Sequence, residues 1–429
     1  MPQAPPSEIQ DQPASALYYP ISDTKMTRGE GIYLFDEDGN AYIDCAAGTF
    51  NLSLGYSHPV ILQAMRDQLD NLIHVTSSFR TGVIEGFVER LAAAAPANIT
   101  RVHPKVSGGS SANEGAIKMA QRATGKQEIV TLFRSHLGQT IATASMSGNA
   151  FRSGPIPFPQ AGVIKVPDPY CRRCFYSQNG PGQCAMQCVE RIADFIEYAS
   201  AGRVAALILE PISGNGGNIV PPPGYLTRLR EFCDQNDIVL IFDEIQTGIG
   251  RTGKMFAAQH FGVEPDAITT AKGLGGSGAQ VAAILTNERL SGLPSNDHSF
   301  TYGSNVLALA AASATLDIVS RPAFLENVTK VGNYFLARLK DMASRYPLIT
   351  DVRGVGLMIG FEIGDPENAA DVALANHLAS AAMSHGLIIR TSRYGFGNVL
   401  KIRPPLIMTL DEADDVCDRL DAMLLEERP

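Results

Sequence analysis

The sequence predicts a layered α/β protein with a mostly parallel central sheet and a smaller α+β domain. Continuous apolar runs carry the first half of that statement: EIVTLF at 128–133, VAALILEPI at 204–212, DIVLIFDEI at 237–245 and QVAAILT at 280–286. Runs without alternation suit strands buried on both faces. Helical patterns lie between them, CVERIADFIEYASA at 188–201 and YLTRLREFCDQND at 225–237, and such alternation builds α/β layers. Beyond residue 322 the pattern changes. A long amphipathic helix at 323–346 precedes strand signals at 357–363, 387–392 and 398–408, and TLDEADDVCDRLDAMLLEE closes the chain as a helix.

The start, MPQAPPSEIQDQPASA, has no basic residue before Lys25 and no apolar core, so it reads as a disordered tail and not as a secretory signal. GIYLFDEDGNAYID at 31–44 reads as a hairpin turning at Asp38-Gly39. The expected organisation of the 429 residues is a tail and hairpin at 1–54, packing with the small domain, a large domain at 55–322 with a Cys-rich insertion at 167–190, and a small domain at 323–429.

The formal charge of −9 argues against nucleic acid or an anionic membrane surface as partner. No apolar run reaches the ~20 residues of a membrane span, and the cytoplasm is the expected location. Seven cysteines without an export signal argue against a disulfide framework. Four of them, Cys171, Cys174, Cys184 and Cys188, fall within nineteen residues as C-x2-C and C-x3-C. That spacing predicts a zinc or iron–sulfur ligand set, against four reduced thiols with no such task.

Three motifs carry chemistry. In VSGGSSANEGAIKMAQRATG (106–125), Ser111 and Glu114 are spaced as a capping box. Small residues at a helix N-terminus leave N–H groups for a phosphate, although a plain capped helix has the same pattern. Asp243 and Glu244 end the run DIVLIFDEI, at the edge where open parallel sheets bind ligands. Adjacent residues point opposite ways, so one carboxylate faces a ligand, where it suits a cationic ring nitrogen or a metal; a solvated pair is the plainer alternative. Lys272 stands alone among Ala, Gly and Thr, twenty-nine residues after Asp243. It is either a solvated strand-end lysine or an amine with a pKa lowered by burial. Phosphate cradle, carboxylate and lysine on one sheet edge together suit pyridoxal phosphate. The lysine forms its Schiff base, and the carboxylate keeps its pyridine nitrogen protonated.

With these motifs, from about residue 28 to 425, the chain resembles the class III (ω-amino acid type) aminotransferases, pyridoxal-phosphate enzymes of fold type I. GIYLFDEDGNAYID, SGGSSANEGAIK, LILEPISGNGG, IFDEIQTGIGRTG, PDAITTAKGLGG, HSFTYGSN and KIRPPLIM carry the likeness. The resemblance implies that Lys272 bears the Schiff base and shuttles the proton, and that Asp243 pairs with the ring nitrogen. It implies Gln246 near the ring oxygen, Gly109 and Ser110 on the phosphate, and Glu210 close to the cofactor. Thr301 would reach the phosphate of a neighbouring subunit, so a homodimer with shared active sites is expected. The implied partners are a primary amine and a keto or aldehyde acceptor, exchanged by a ping-pong mechanism; an epimerase or a phospho-lyase on the same scaffold is the alternative.

The chain departs from the family's pattern in two places. His136 falls where the family commonly has Tyr or Phe stacking on the cofactor. Lys401 and Asn215 stand where the family has a carboxylate-binding Arg and the Glu that masks it. Lysine is not a bidentate clamp, so the expected amino donor is an ω-amine, amino alcohol or amino sugar without a free α-carboxylate. Arg403 shares the strand face of Lys401 and is a second substrate-binding candidate, with Arg390 and Arg393 as further anion binders. Gly273, Gly275, Gly276 and Gly278 also raise a dinucleotide-binding loop, but the apolar run after them reads as a strand where that fingerprint needs a helix.

Overall fold

The computed structural model describes residues 24–76, 78–178, 184–290, 293–294 and 296–427. Residues 1–23, where the tail is expected, lie outside them.

A seven-stranded sheet forms the centre. Its order is Arg101–His103, Ala283–Thr286, Ala267–Thr270, Val239–Asp243, Val204–Leu209, Glu128–Leu132, Val163–Val166. Ala283–Thr286 pairs antiparallel with both neighbours, and the remaining pairings are parallel. Every residue of Val204–Leu209 and Val239–Asp243 is buried, because apolar cores cover both faces. Leu207, Leu240 and Phe242 belong to one core, Ala206, Val239 and Ile241 to the other. Three strands were less legible in the sequence: Arg101–His103, Val163–Val166 and Ile349–Val355 lack a long apolar run.

Two four-stranded sheets flank a further core. One joins Met26–Glu30, Tyr33–Asp36 and Ala41–Asp44 to Leu387–Ile388; the other joins Ile349–Val355, Met358–Ile363, Val399–Ile402 and Arg390–Thr391. Ile32 and Ile43 of the hairpin share that core with Phe335, Leu387 and Leu420. Gly39 takes a left-handed φ of 86° at the hairpin turn, and Asp36 accepts from the backbone N–H groups of Asp38 and Asn40, a local device that closes the turn. The run LIIRTS divides between the two sheets, and the pattern at 188–201 breaks at Arg191 into helices Gln187–Glu190 and Ile192–Ala199.

The helix of the Gly-rich motif spans Gly109–Thr124, and Gly125 ends it with a left-handed φ of 69°. Its start corrects the expected capping box. Gly108 is the N-cap, and Ser111, three residues on, accepts from the N–H of Gly108 through its hydroxyl. Glu114 turns away from the cap and accepts from the Thr140 hydroxyl. The shift leaves the first turn composed of Gly109 and Ser110, whose N–H groups have no carbonyl inside the helix.

Candidate active site

Parallel strands deliver their successors to one edge. Glu210 follows Leu209, Asp243 ends its own strand, Lys272 comes two residues after Thr270, and His136 lies just past Leu132. All four line a cavity of about 330 Å³, with Gly109, Ser110, Ile245 and Gln246. Of the sequence-predicted site residues, seven therefore meet in one place.

Asp243 is 3 % exposed. Its Oδ2 accepts from Asn113 Nδ2 at 2.7 Å and its Oδ1 from the Ile245 N–H at 3.1 Å. Burial raises its pKa to about 6, against the pull of those donors and of Lys272. Such a carboxylate is prepared for a cation and pays desolvation until one arrives. Asn113, not singled out from the sequence, also donates to the Leu137 carbonyl at 2.8 Å and accepts from the Thr269 hydroxyl at 2.6 Å. Its place in SGGSSANEG, one turn into the helix, was the available signal. Glu244 points the other way, as adjacent strand residues must. It accepts from the N–H groups of Ala257 and Ala258 and from Thr247, so its work is helix capping.

Burial lowers the Lys272 amine to about 8, opposed by Asp243 and Glu210 and helped by Arg403. Its backbone has a φ of 44°, an uncommon state for a side-chain-bearing residue. Glu210 accepts from the N–H groups of His136 and Gly214, and burial followed by repulsion from Asp243 raises it to about 7. His136 is held near 3 by burial, then by Lys272, Arg152 and Lys401. Its imidazole is neutral at physiological pH, a flat ring and not a titrating switch. Tyr394 packs on it edge-on at 5.8 Å, and Arg152 sits 3.9 Å above the Tyr394 ring.

The donor set fits pyridoxal phosphate. An amine of lowered pKa, a buried carboxylate awaiting a cation, a neutral ring and an uncapped glycine-serine turn surround one cavity, and the buried Nδ1 of His136 has no partner. Gly138 keeps the space beside Ser110 open. A Cβ there would meet Ser110 Oγ and Thr143 Oγ1 at 2.4 Å, and its φ is 148°. Gly138→Ala is expected to weaken cofactor affinity and cost about 1–3 kcal/mol of stability, read by cofactor titration and thermal denaturation; an unchanged affinity would mean that the turn yields without moving Ser110.

Lys401 and Arg403 do not line this cavity. They lie behind Gln246, sharing Phe50: Arg403 stacks 3.3 Å over its ring and Lys401 Nζ sits 5.6 Å from its centroid. Arg403 is 1 % exposed, donates to Gln246 Oε1 at 2.6 Å, and leaves Nε and Nη2 without partners. Thr301 is exposed and lies outside the lining of this cavity. The glycines after Lys272 form a short 3-10 turn followed by the strand Ala283–Thr286, which is not the strand-to-helix setting of a dinucleotide loop.

The metal expectation for Cys171, Cys174, Cys184 and Cys188 is corrected. All four are free thiols, and among the described residues no group of three or more His, Cys, Asp or Glu is arranged to hold a metal ion. Burial, then the neighbouring cysteines, raises Cys171 and pushes Cys188 up to about 12. For these two, burial opposes the thiolate form that metal ligation uses. Among the described residues no single helix is long and apolar enough to cross a membrane.

The sheet edge and its lysine define a pyridoxal-phosphate enzyme of fold type I. More narrowly, the family described as Aminotransferase class-III matches residues 17–424, and the chain belongs to it. An acetylornithine aminotransferase of Methanothermobacter thermautotrophicus is 39 % identical over 92 % of this chain and 92 % of its own. A leucine/methionine racemase of Thermococcus litoralis is 34 % identical over 98 % of this chain and 94 % of its own. Among solved structures, an amine transaminase from an uncultivated Pseudomonas species, in its PLP-bound form, superposes with a TM-score of 0.89 at 30 % identity, covering 96 % of this chain and 99 % of that one. The protein is thus a pyridoxal-phosphate-dependent class III aminotransferase by family and fold.

Proposed function

We propose that the enzyme moves an amino group from a primary amine lacking a free α-carboxylate to a keto or aldehyde acceptor, by a ping-pong cycle through Lys272. The observation that carries the donor class is Lys401. At the place of the family's carboxylate-binding arginine it is 5 % exposed, beside Arg403 and Arg390, and burial followed by Arg403 drives its amine well below the usual range. A lysine discouraged from carrying charge is a poor clamp for a carboxylate. Arg403, although burial and then Arg251 push its guanidinium well below its usual range, has the planar fork that pairs with a carboxylate and two unpartnered donors, and is the candidate for the carboxylate of a keto-acid acceptor.

Pyridoxal phosphate, when bound, supplies an aldehyde that takes up the amine and a ring that accepts the electron pair released at the amine carbon. Asp243, held by Asn113, keeps a proton on the ring nitrogen. Lys272 would take up and give back the proton of the amine carbon, general acid–base work suited to an amine near neutrality. Gly109 and Ser110 bind the phosphate through backbone N–H groups. His136 would cover the ring, and Gln246, which accepts from Arg403, would lie near the ring oxygen. A homodimer in which Thr301 completes the neighbouring phosphate site fits its exposure beside Tyr302, itself 70 % exposed.

The test is a panel of ω-amino acids, amines, amino alcohols and amino sugars with the holoenzyme, with and without a keto-acid acceptor. Sustained turnover that requires the acceptor is expected. Turnover without any acceptor would replace transamination by the second reading, racemisation or epimerisation, which the racemase relatives of 34 % and 33 % identity favour. The pH dependence of cofactor capture is a further expected result. Only the neutral amine attacks an aldehyde, so the capture rate of the apoenzyme should rise with pH through about 8 and level off above it. Visible absorbance follows it; a rate still rising steeply above pH 10 would mean that Lys272 has the ordinary pKa of about 10.4.

A further inference from the structure

A second cavity, of about 810 Å³, shares no lining residue with the first. The loop that brings His136 to the cofactor cavity also lines this one, and so does the segment whose Tyr394 packs on His136. Arg134 precedes His136 by two residues, and Arg393 adjoins Tyr394, which packs on His136. The lining is built. Asn149 Nδ2 holds the carbonyls of Arg134 and Ser135, both at 3.0 Å. Arg134 pairs with Asp168 and lies 5.1 Å from the Tyr170 ring centroid. Arg173 pairs with Glu362 and Asp365.

Two unsatisfied groups remain in this lining. Asp168 is 6 % exposed, and its Oδ2 has no hydrogen-bond partner; the buried Nε of Arg393 has none either. Arg393 makes no ion pair among the described residues, and neither does the exposed Arg172. An orphaned acceptor and an orphaned guanidinium donor, each costly to bury alone, thus line one cleft. Its charged lining is Arg134, Arg172, Arg173 and Arg393 against Asp168 and Glu367, a net positive lining in a chain of net charge −9. Glu367 is exposed.

We propose that this cleft is a second ligand site, for a small molecule that carries an oxyanion beside a hydroxyl or ammonium donor. The oxyanion meets Arg393 and Arg172, and the donor meets Asp168 Oδ2. Arginine suits the first task because its planar fork pairs with carboxylate or phosphate. Occupancy bears on the reaction because Arg393, which holds the oxyanion, adjoins Tyr394, which packs on His136, and Arg134, which pairs with Asp168, stands two residues before His136. Arg393 and Tyr394 have left-handed φ values of 50° and 54°, a strained pair that a ligand on Arg393 can bias.

The test is calorimetric titration of the holoenzyme, with the cofactor at saturation so that its phosphate site is filled. The probes are citrate, tricarballylate and glycerol 3-phosphate. Citrate and tricarballylate differ by one hydroxyl, so the pair isolates the donor to Asp168. Citrate or glycerol 3-phosphate is expected to bind saturably, the tighter of the two naming the oxyanion, and citrate to bind more tightly than tricarballylate. Arg393→Gln should weaken binding about tenfold or more, while Lys401→Ala leaves it unchanged. Three results overturn the proposal: no saturable binding of any probe, equal affinity for citrate and tricarballylate, or loss of binding in Lys401→Ala with Arg393→Gln unaffected. The citrate pair needs no variant, so misfolding of a mutant does not decide the matter.

Discussion

Lys272→Ala should lower turnover by about 10⁴-fold or more, since both the covalent attachment of the cofactor and the proton transfer are lost with the amine. Folding is not the reason. Alanine meets the same left-handed backbone that Lys272 already tolerates at φ 44°, and no hydrogen bond of the lysine amine is among the contacts of the described residues, so the melting temperature of the apoenzyme should change little. It should even rise slightly near neutral pH, because the variant no longer buries an amine whose pKa is depressed to about 8. The sign follows from linkage. A buried amine with a lowered pKa costs stability that grows as pH falls from about 10, where the unfolded chain takes up its proton, to about 8, where the folded chain takes up its own, and that stays at its full value below. Steady-state kinetics with donor and acceptor at saturation, beside a thermal scan, checks both halves. Turnover within tenfold of the parent enzyme would remove Lys272 from the mechanism. Lys272→Arg is expected to be equally inactive, since a guanidinium never supplies the neutral amine.

Asp243→Asn comes next in size, with an expected loss of about 10²–10³-fold in kcat. The side chain keeps its shape and loses its charge. A neutral amide does not hold a proton on the ring nitrogen, so the ring takes up electrons less readily. The local hydrogen bonds suffer as well. Asn113 donates to Oδ2 and the Ile245 N–H to Oδ1, and an asparagine offers one acceptor oxygen where the aspartate offers two. Cofactor affinity should therefore fall together with kcat. Cofactor titration and kinetics on the same preparation separate the two, and a variant with kcat intact but weak cofactor binding would assign Asp243 to positioning alone.

Both predictions concern residues legible in the sequence, and the reason is topological. Parallel strands bring their C-terminal ends to a common edge, so residues that directly follow apolar runs become neighbours without any knowledge of packing. Glu210, Asp243 and Lys272 each stand at such an end. The helix start at Gly109 and Ser110 was legible from its small residues, although the cap itself proved to be one turn earlier than the Ser111–Glu114 spacing suggested. The four cysteines show the opposite case. Their spacing fits a metal site, yet spacing says nothing about whether the side chains converge, and among the described residues they form no metal-holding group.

Partnership across the domain core was also hidden. Nothing in KIRPPLIM indicates that Arg403 donates to Gln246, 157 positions away, or that Phe50 lies under both cations. Nothing near Asn113 indicates its bond to Asp243. These contacts depend on how far each strand extends and which rotamer the packed neighbours permit, and neither is encoded within a local window.

The sequence by itself determined the fold class, the family and which residues end the apolar runs at the sheet edge, because apolar periodicity and the residues that close each run are local properties of the chain. Tertiary structure alone decided which groups remain charged, which donors lack partners and where a second cleft opens. Burial and pairing are properties of the packed molecule, where a few ångströms separate a satisfied side chain from an orphaned one.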